Sequence, residues 1–162
     1  MSVNPVNKSP QASGSPLSSG RFEHGQERQA ARSLLVRPRN CVGCKTCEVA
    51  CSFAHSIAGR PGRSRIRVHP AGESRYMQIT CLQCANAACV KVCPTQALQR
   101  CARTSAIEVD ALRCVGCGLC ETACPFGHMH FDPGVGHPIK CDLCGGQPAC
   151  AMFCPHQALE LR

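Results

Sequence analysis

Sixteen of the 17 cysteines in this 162-residue chain fall into four quartets that share one spacing pattern. The first is Cys41, Cys44, Cys47 and Cys51; the second is Cys81, Cys84, Cys89 and Cys93, followed by Pro94. The third is Cys114, Cys117, Cys120 and Cys124, followed by Pro125, and the fourth is Cys141, Cys144, Cys150 and Cys154, followed by Pro155. Only the gap between the second and third cysteine varies. A C-x2-C-x2-C-x3-C-P run is the ligand pattern of bacterial-type [4Fe–4S] clusters. Three thiolates at that spacing sit on a tight loop around a compact cubane, and the fourth, one helical turn further on, reaches the neighbouring cluster. Proline then ends the loop without leaving an unpaired N–H. Gly43 and Gly116 supply the backbone angles such a loop needs.

Other readings of so many thiols fit less well. Zinc needs two C-x2-C knuckles and has no use for a third cysteine at x2 and a fourth at x3. An odd count suits a fully paired disulfide framework poorly, and the N-terminus shows no apolar secretory segment. The expectation is therefore a reducing cytoplasm, with metal holding the thiols. No apolar run approaches the ~18 residues of a membrane-spanning helix. With five Phe, one Tyr and no Trp, an ordinary hydrophobic core is hard to close, and inorganic clusters fill that place. The formal charge of +8 counts thiols as neutral. Each oxidised cubane with four thiolates contributes about −2, so four of them offset the surplus and no nucleic-acid partner is expected.

The segment between Cys93 and Cys114 looks like the middle of a two-cluster ferredoxin: a short helix after Cys-Pro, a turn, a short strand, then the next loop. On that reading quartets two and three exchange their fourth cysteines. The sets are then Cys81, Cys84, Cys89 with Cys124, and Cys114, Cys117, Cys120 with Cys93. Quartets one and four pair across the insertion, as Cys41, Cys44, Cys47 with Cys154 and Cys141, Cys144, Cys150 with Cys51. Sequential pairing, one with two and three with four, is the alternative that the spacing leaves open.

Residues 34–162 resemble the four-cluster ferredoxin-like electron-transfer subunits of molybdenum and tungsten oxidoreductases, formate hydrogenlyase and carbon monoxide dehydrogenase. Residues 41–48, 52–55 and 63–68 are most similar to the small iron–sulfur subunit of tungsten-dependent aldehyde oxidoreductases. The resemblance implies an α+β fold of two pseudo-symmetric bacterial-ferredoxin-like modules around four [4Fe–4S] clusters, with quartet one paired to four and two to three. The outer module comprises residues 34–75 and 135–162, and the inserted module residues 76–134. It further implies a non-catalytic relay, with a tungsten or molybdenum catalytic subunit as donor and a flavin subunit or ferredoxin as acceptor. The equivalent subunit of a carbon monoxide dehydrogenase, hydrogenase or formate dehydrogenase is the second reading.

Several residues remain outside that pattern. Residues 1–33 are polar and Ser/Pro-rich, a tail that is disordered or ordered by a partner; its segment 23–32 suggests docking on an adjacent subunit, including head-to-tail on a further copy. Ser52 stands where the other quartets have proline, which should alter the hydrogen bonding near Cys51. His55 is expected to donate a hydrogen bond that tunes a cluster, and Lys45 and Lys140 to act beside ligands through charge. Cys101 reads as a structural thiol, and the basic run Arg60, Arg63, Arg65, Arg67 and Arg75 as a solvated face or a docking surface. No dinucleotide fingerprint, P-loop or nucleophile–base pair is present, so no catalysis is expected.

Overall fold

Short alternations such as Ile66/Val68 and Ile107/Val109 are enough for strands but not for a wide sheet. The computed structural model, which describes residues 32–162, accordingly contains four separate two-stranded antiparallel sheets. Its strands are β1 (Leu34–Val36), β2 (Ile66–Pro70), β3 (Tyr76–Thr80), β4 (Leu98–Arg100), β5 (Ile107–Val109), β6 (His130–Asp132), β7 (His137–Ile139) and β8 (Leu159–Leu161). β1 pairs with β8, and the other sheets join neighbours in sequence: β2 with β3, β4 with β5, β6 with β7. The expected docking tail falls almost wholly outside the described residues.

Four α-helices, α1 (Thr46–Ala54), α2 (Ala88–Lys91), α3 (Leu119–Thr122) and α4 (Ala149–Met152), and two 3-10 turns, Pro38–Asn40 and Leu143–Gly146, complete the order. Each carries the third cysteine of its quartet, namely Cys47, Cys89, Cys120 and Cys150. The helix expected after Cys93-Pro94 is therefore misplaced: α2 precedes Cys93, and a turn follows it. The reason is local. Gln96 takes a left-handed conformation (φ +54°), and its N–H closes back on Cys93 O, so a helix cannot continue.

The contacts are nested. β1 and β8 bring the flanks of quartets one and four together, in the register Leu34–Leu161, Leu35–Glu160 and Val36–Leu159, and α1 packs on α4. Inside that frame α2 packs on α3, and β4–β5 links the flanks of quartets two and three.

Two buried clusters form the core, and cysteines belong to both. Leu34, Ile66, Val68, Leu143 and Leu159 surround Cys47, Cys51, Cys141 and Cys150; Leu98, Ile107 and Met129 surround Cys120. Hydrocarbon here packs around sulfur. Ile107, 1% exposed, sits at the centre of the second cluster. Ile107→Ala should destabilise the loaded protein by about 2–5 kcal/mol through loss of buried surface and the cavity left behind. Leu112→Ala, at a side chain 98% exposed, should cost at most about 0.5 kcal/mol. Anaerobic thermal unfolding of both variants checks this.

Candidate iron–sulfur centres

The loop between the first two cysteines of every quartet turns through the left-handed region at the same place. φ is +74° at Gly43, +52° at Gln83, +67° at Gly116 and +57° at Leu143. Glycine is required at position 43, where an added Cβ would stand 2.5 Å from the Tyr76 ring. At Gln83 and Leu143 the strain, of order 1–3 kcal/mol, is offset by side chains that are 1% and 0% exposed. Leu143 fills the first core cluster. Gln83 acts as a strut, donating from Nε2 to Cys141 O at 2.8 Å and accepting the Ile107 N–H at 2.9 Å. Sequence reasoning assigned this backbone state to glycine and so overlooked Gln83 and Leu143. Their place midway in a C-x2-C was the available signal.

A second repeated turn follows the fourth cysteine. Gln96, Gly127 and Gln157, each three residues on, have φ of +54°, +60° and +50°. Each turn aims the next amide at sulfur: Ala97 N–H donates to Cys93 Sγ (3.2 Å), His128 N–H to Cys124 Sγ (3.5 Å) and Ala158 N–H to Cys154 Sγ (3.3 Å). Such donors favour the thiolate.

Quartet one departs from this. Without proline at Ser52, α1 runs on past Cys51, and the His55 N–H is spent on Cys51 O. Arg65 N–H, from the approach to β2, donates to Cys51 Sγ instead, at 3.2 Å. The His55 imidazole lies 3.7 Å from the same sulfur through Nδ1, which donates to Cys51 O at 2.8 Å, while Nε2 donates to Asp142 at 3.1 Å. Its bond to Asp142 above all, then those to Cys144 and Cys51, pushes the His55 pKa up to about 12. Burial opposes ionisation of Asp142, but the His55 bond and the Arg65 guanidinium hold its carboxyl well below the usual range. The Cys51 thiol is likewise lowered: burial opposes, while His55 and the Arg65 amide prevail. One arginine of the basic run is thus structural. His55, Asp142 and Cys144 present donor atoms within 4.8 Å of one another, with Arg65 already paired to the Asp142 carboxylate.

Three cavities are each lined by four quartet cysteines. One has Cys41, Cys44, Cys47 and Cys154; another Cys81, Cys84, Cys89 and Cys124; a third Cys93, Cys114, Cys117 and Cys120. Of the remaining four, Cys51, Cys141 and Cys150 are buried in the first core cluster, where burial first, then the charges of Cys141, Cys51 and Cys144, drive the Cys150 thiol far above its ordinary pKa. Burial, with Cys154 and Cys41 as lesser causes, pushes Cys47 up to about 11. Burial, with Cys114 and Cys117, does the same to Cys120. Cys101 lines none of these cavities; Thr104 bonds lower its thiol pKa.

Such a donor set is costly by itself. Four converging thiolates repel one another and are poorly solvated, so they need a multiply charged soft-metal core. An unpartnered polar group agrees: Gln78, 6% exposed, lines the first cavity with its amide N–H unbonded, a donor available to a sulfur-rich group held there. The residues fit [4Fe–4S] cubanes, which supply one-electron redox chemistry. Among the described residues no helix is long and apolar enough to cross a membrane.

Gly43→Ala should deplete bound iron, because it adds a Cβ into the Tyr76 ring on top of the left-handed strain of about 1–2 kcal/mol. Gly59→Ala, with the same handedness but open space around it, should keep full iron content. Iron analysis after anaerobic gel filtration distinguishes them.

Comparison with known proteins agrees with the chemistry of the thiols. The 4Fe–4S dicluster domain family matches residues 73–162, and a 4Fe–4S binding domain matches residues 38–54. The polyferredoxin-like subunit of an aliphatic sulfonate oxidoreductase from Pyrococcus furiosus is 40% identical over 131 residues, covering 79% of this chain and 76% of that protein. The electron transfer subunit of thiosulfate reductase from Salmonella typhi is 32% identical over 141 residues, covering 78% and 73%. Subunit beta of an NADH-dependent phenylglyoxylate dehydrogenase from Aromatoleum evansii is 37% identical over 135 residues, but the match spans only 30% of its length. The chain belongs to the 4Fe–4S dicluster family and is a ferredoxin-like iron–sulfur electron-transfer subunit of the oxidoreductase type, with [4Fe–4S] clusters as its cofactor.

Proposed function

We propose that this chain holds four [4Fe–4S] clusters in two crossed pairs and relays single electrons from a catalytic subunit to an acceptor. The outer module, residues 34–75 with 135–162, ligates one cluster through Cys41, Cys44, Cys47 and Cys154 and another through Cys141, Cys144, Cys150 and Cys51. The inserted module, residues 76–134, uses Cys81, Cys84, Cys89 with Cys124 and Cys114, Cys117, Cys120 with Cys93. The observation that carries this reading is the gathering of cysteines from separate quartets, four to a cavity.

Exposure supports a line with two ends. Among the quartet cysteines only Cys44 and Cys117 are exposed, and they belong to different modules. Beside them Val42 and Val115 are 53% and 67% exposed, leaving an apolar approach at each end. The chain itself does no substrate chemistry on this reading. Its donor is a tungsten oxidoreductase subunit of the aldehyde-oxidising type, and its acceptor a flavin subunit or ferredoxin in a reducing cytoplasm. The sulfonate oxidoreductase and thiosulfate reductase relatives support a catalytic oxidoreductase partner in general.

Anaerobically purified protein should contain about 16 iron and 16 sulfide per chain; stoichiometric zinc without sulfide would contradict the reading. In the native complex, Cys84→Ser should abolish donor-to-acceptor electron flow while single-turnover substrate oxidation at the donor survives. Unchanged flow in a variant shown to lack a cluster would refute a linear relay. Metal analysis of the co-purified partner should find tungsten; nickel would assign the chain instead to a carbon monoxide dehydrogenase or hydrogenase.

A further inference from the structure

Lys140 is 4% exposed and sits where the two modules meet. Its Nζ donates to Ile107 O, to Cys141 O at 2.6 Å and to Gln83 Oε1 at 3.4 Å. The Gln83 amide cannot be turned round, because its oxygen also accepts the Ile107 N–H and its nitrogen donates to Cys141 O. Three acceptors around one nitrogen call for three N–H protons, so the side chain is an ammonium. Among the described residues no carboxylate pairs with it; neighbouring Asp142 is held by Arg65 and His55. A buried ammonium without a counter-charge is strongly unfavourable.

Two sulfur sets flank this charge. Lys140 lines the cavity of Cys81, Cys84, Cys89 and Cys124, and it directly precedes Cys141 of the other set. Gln83, from the loop of quartet two, holds the backbone of quartet four. We infer that Lys140 is a positioning residue for electron transfer, its buried ammonium serving as the shared counter-charge of the two clusters at the module junction and raising the reduction potential of both. The inference rests on the four-cluster reading above. Reduction adds one electron to a cluster whose net charge is already about −2, so a fixed positive charge favours the reduced form of whichever flanking cluster holds the electron. No bond is made or broken, and no proton moves. Electrons arriving from either end would then find the junction pair easier to reduce than it would be without the lysine, which makes the crossing between modules feasible in both directions.

Potentiometric EPR titration of the anaerobic, cluster-loaded protein tests this with three variants. Lys140→Met should lower the midpoint potentials of two centres, each by at least a tenfold change in the one-electron equilibrium, which is about 59 mV, and leave the other two in place. Lys140→Arg should restore both. Lys140→Gln, which keeps a polar tip without the charge, should move the same two centres in the same direction; it decides the matter if Lys140→Met fails to hold its clusters. Four loaded clusters with unmoved potentials would overturn the inference and leave the relay standing, as would an equal shift of all four or no rescue by arginine. A wild-type chain that titrates fewer than four centres would instead overturn the four-cluster reading itself.

Discussion

Thiolate–iron bonding by the cysteine quartets is the constraint on which everything else in this chain depends. None of the local elements is self-sufficient: two-stranded sheets are marginal in water, and single-turn helices such as α2, α3 and α4 fall far short of independent stability. The hydrocarbon core is small and interleaved with sulfur. Cross-chain cluster bonds, by contrast, would tie residue 41 to residue 154 and residue 81 to residue 124, and each would close a loop that β1–β8 or α2–α3 packing has already brought near. The Gln78 amide N–H, left without a partner by the protein alone, would find an acceptor in a bound cluster.

A second layer of structure serves that first one. Left-handed residues recur inside the ligand loops and three residues after the fourth cysteine, and the later turn delivers an amide to sulfur. Quartet one reaches a comparable result by other means. There a longer helix and the His55–Asp142–Arg65 chain replace the proline turn, and the sulfur of Cys51 faces positive groups rather than an amide from its own segment. A hydrogen bond or positive charge near a ligand sulfur stabilises the more negative, reduced cluster. The quartets, alike in spacing, are therefore unlike in their surroundings.

Much of this was legible in the sequence because thiolate ligation writes itself locally. Spacing alone pointed to [4Fe–4S] clusters as the cofactor, and the alternation at Ile66/Val68 and Ile107/Val109 located β2 and β5. The expected influence of Ser52 on bonding near Cys51 corresponds to the replaced amide donor. Three things were not legible. The helix expected after Cys93-Pro94 lies before it, since a left-handed Gln96 is invisible to propensity. Gln83 and Leu143 carry backbone strain that burial repays only in three dimensions. Asp142 meets His55 and Arg65 across 87 and 77 residues, and pairs that distant leave no periodic trace; the basic run accordingly looked wholly superficial, although the Arg65 side chain is half-buried on Asp142.

The picture is of a conductor whose insulation is protein and whose framework is the cofactor itself. Crossed ligation is its central claim, and it is tested most directly by asking which cysteines share a cluster. Single Cys→Ser variants at residues 41, 154 and 144 should be reduced anaerobically and compared by EPR. The account predicts that Cys154→Ser perturbs the same centre as Cys41→Ser and leaves the centre altered by Cys144→Ser untouched. If Cys154→Ser instead alters the centre of Cys144→Ser, the quartets are self-contained and the crossed arrangement is wrong.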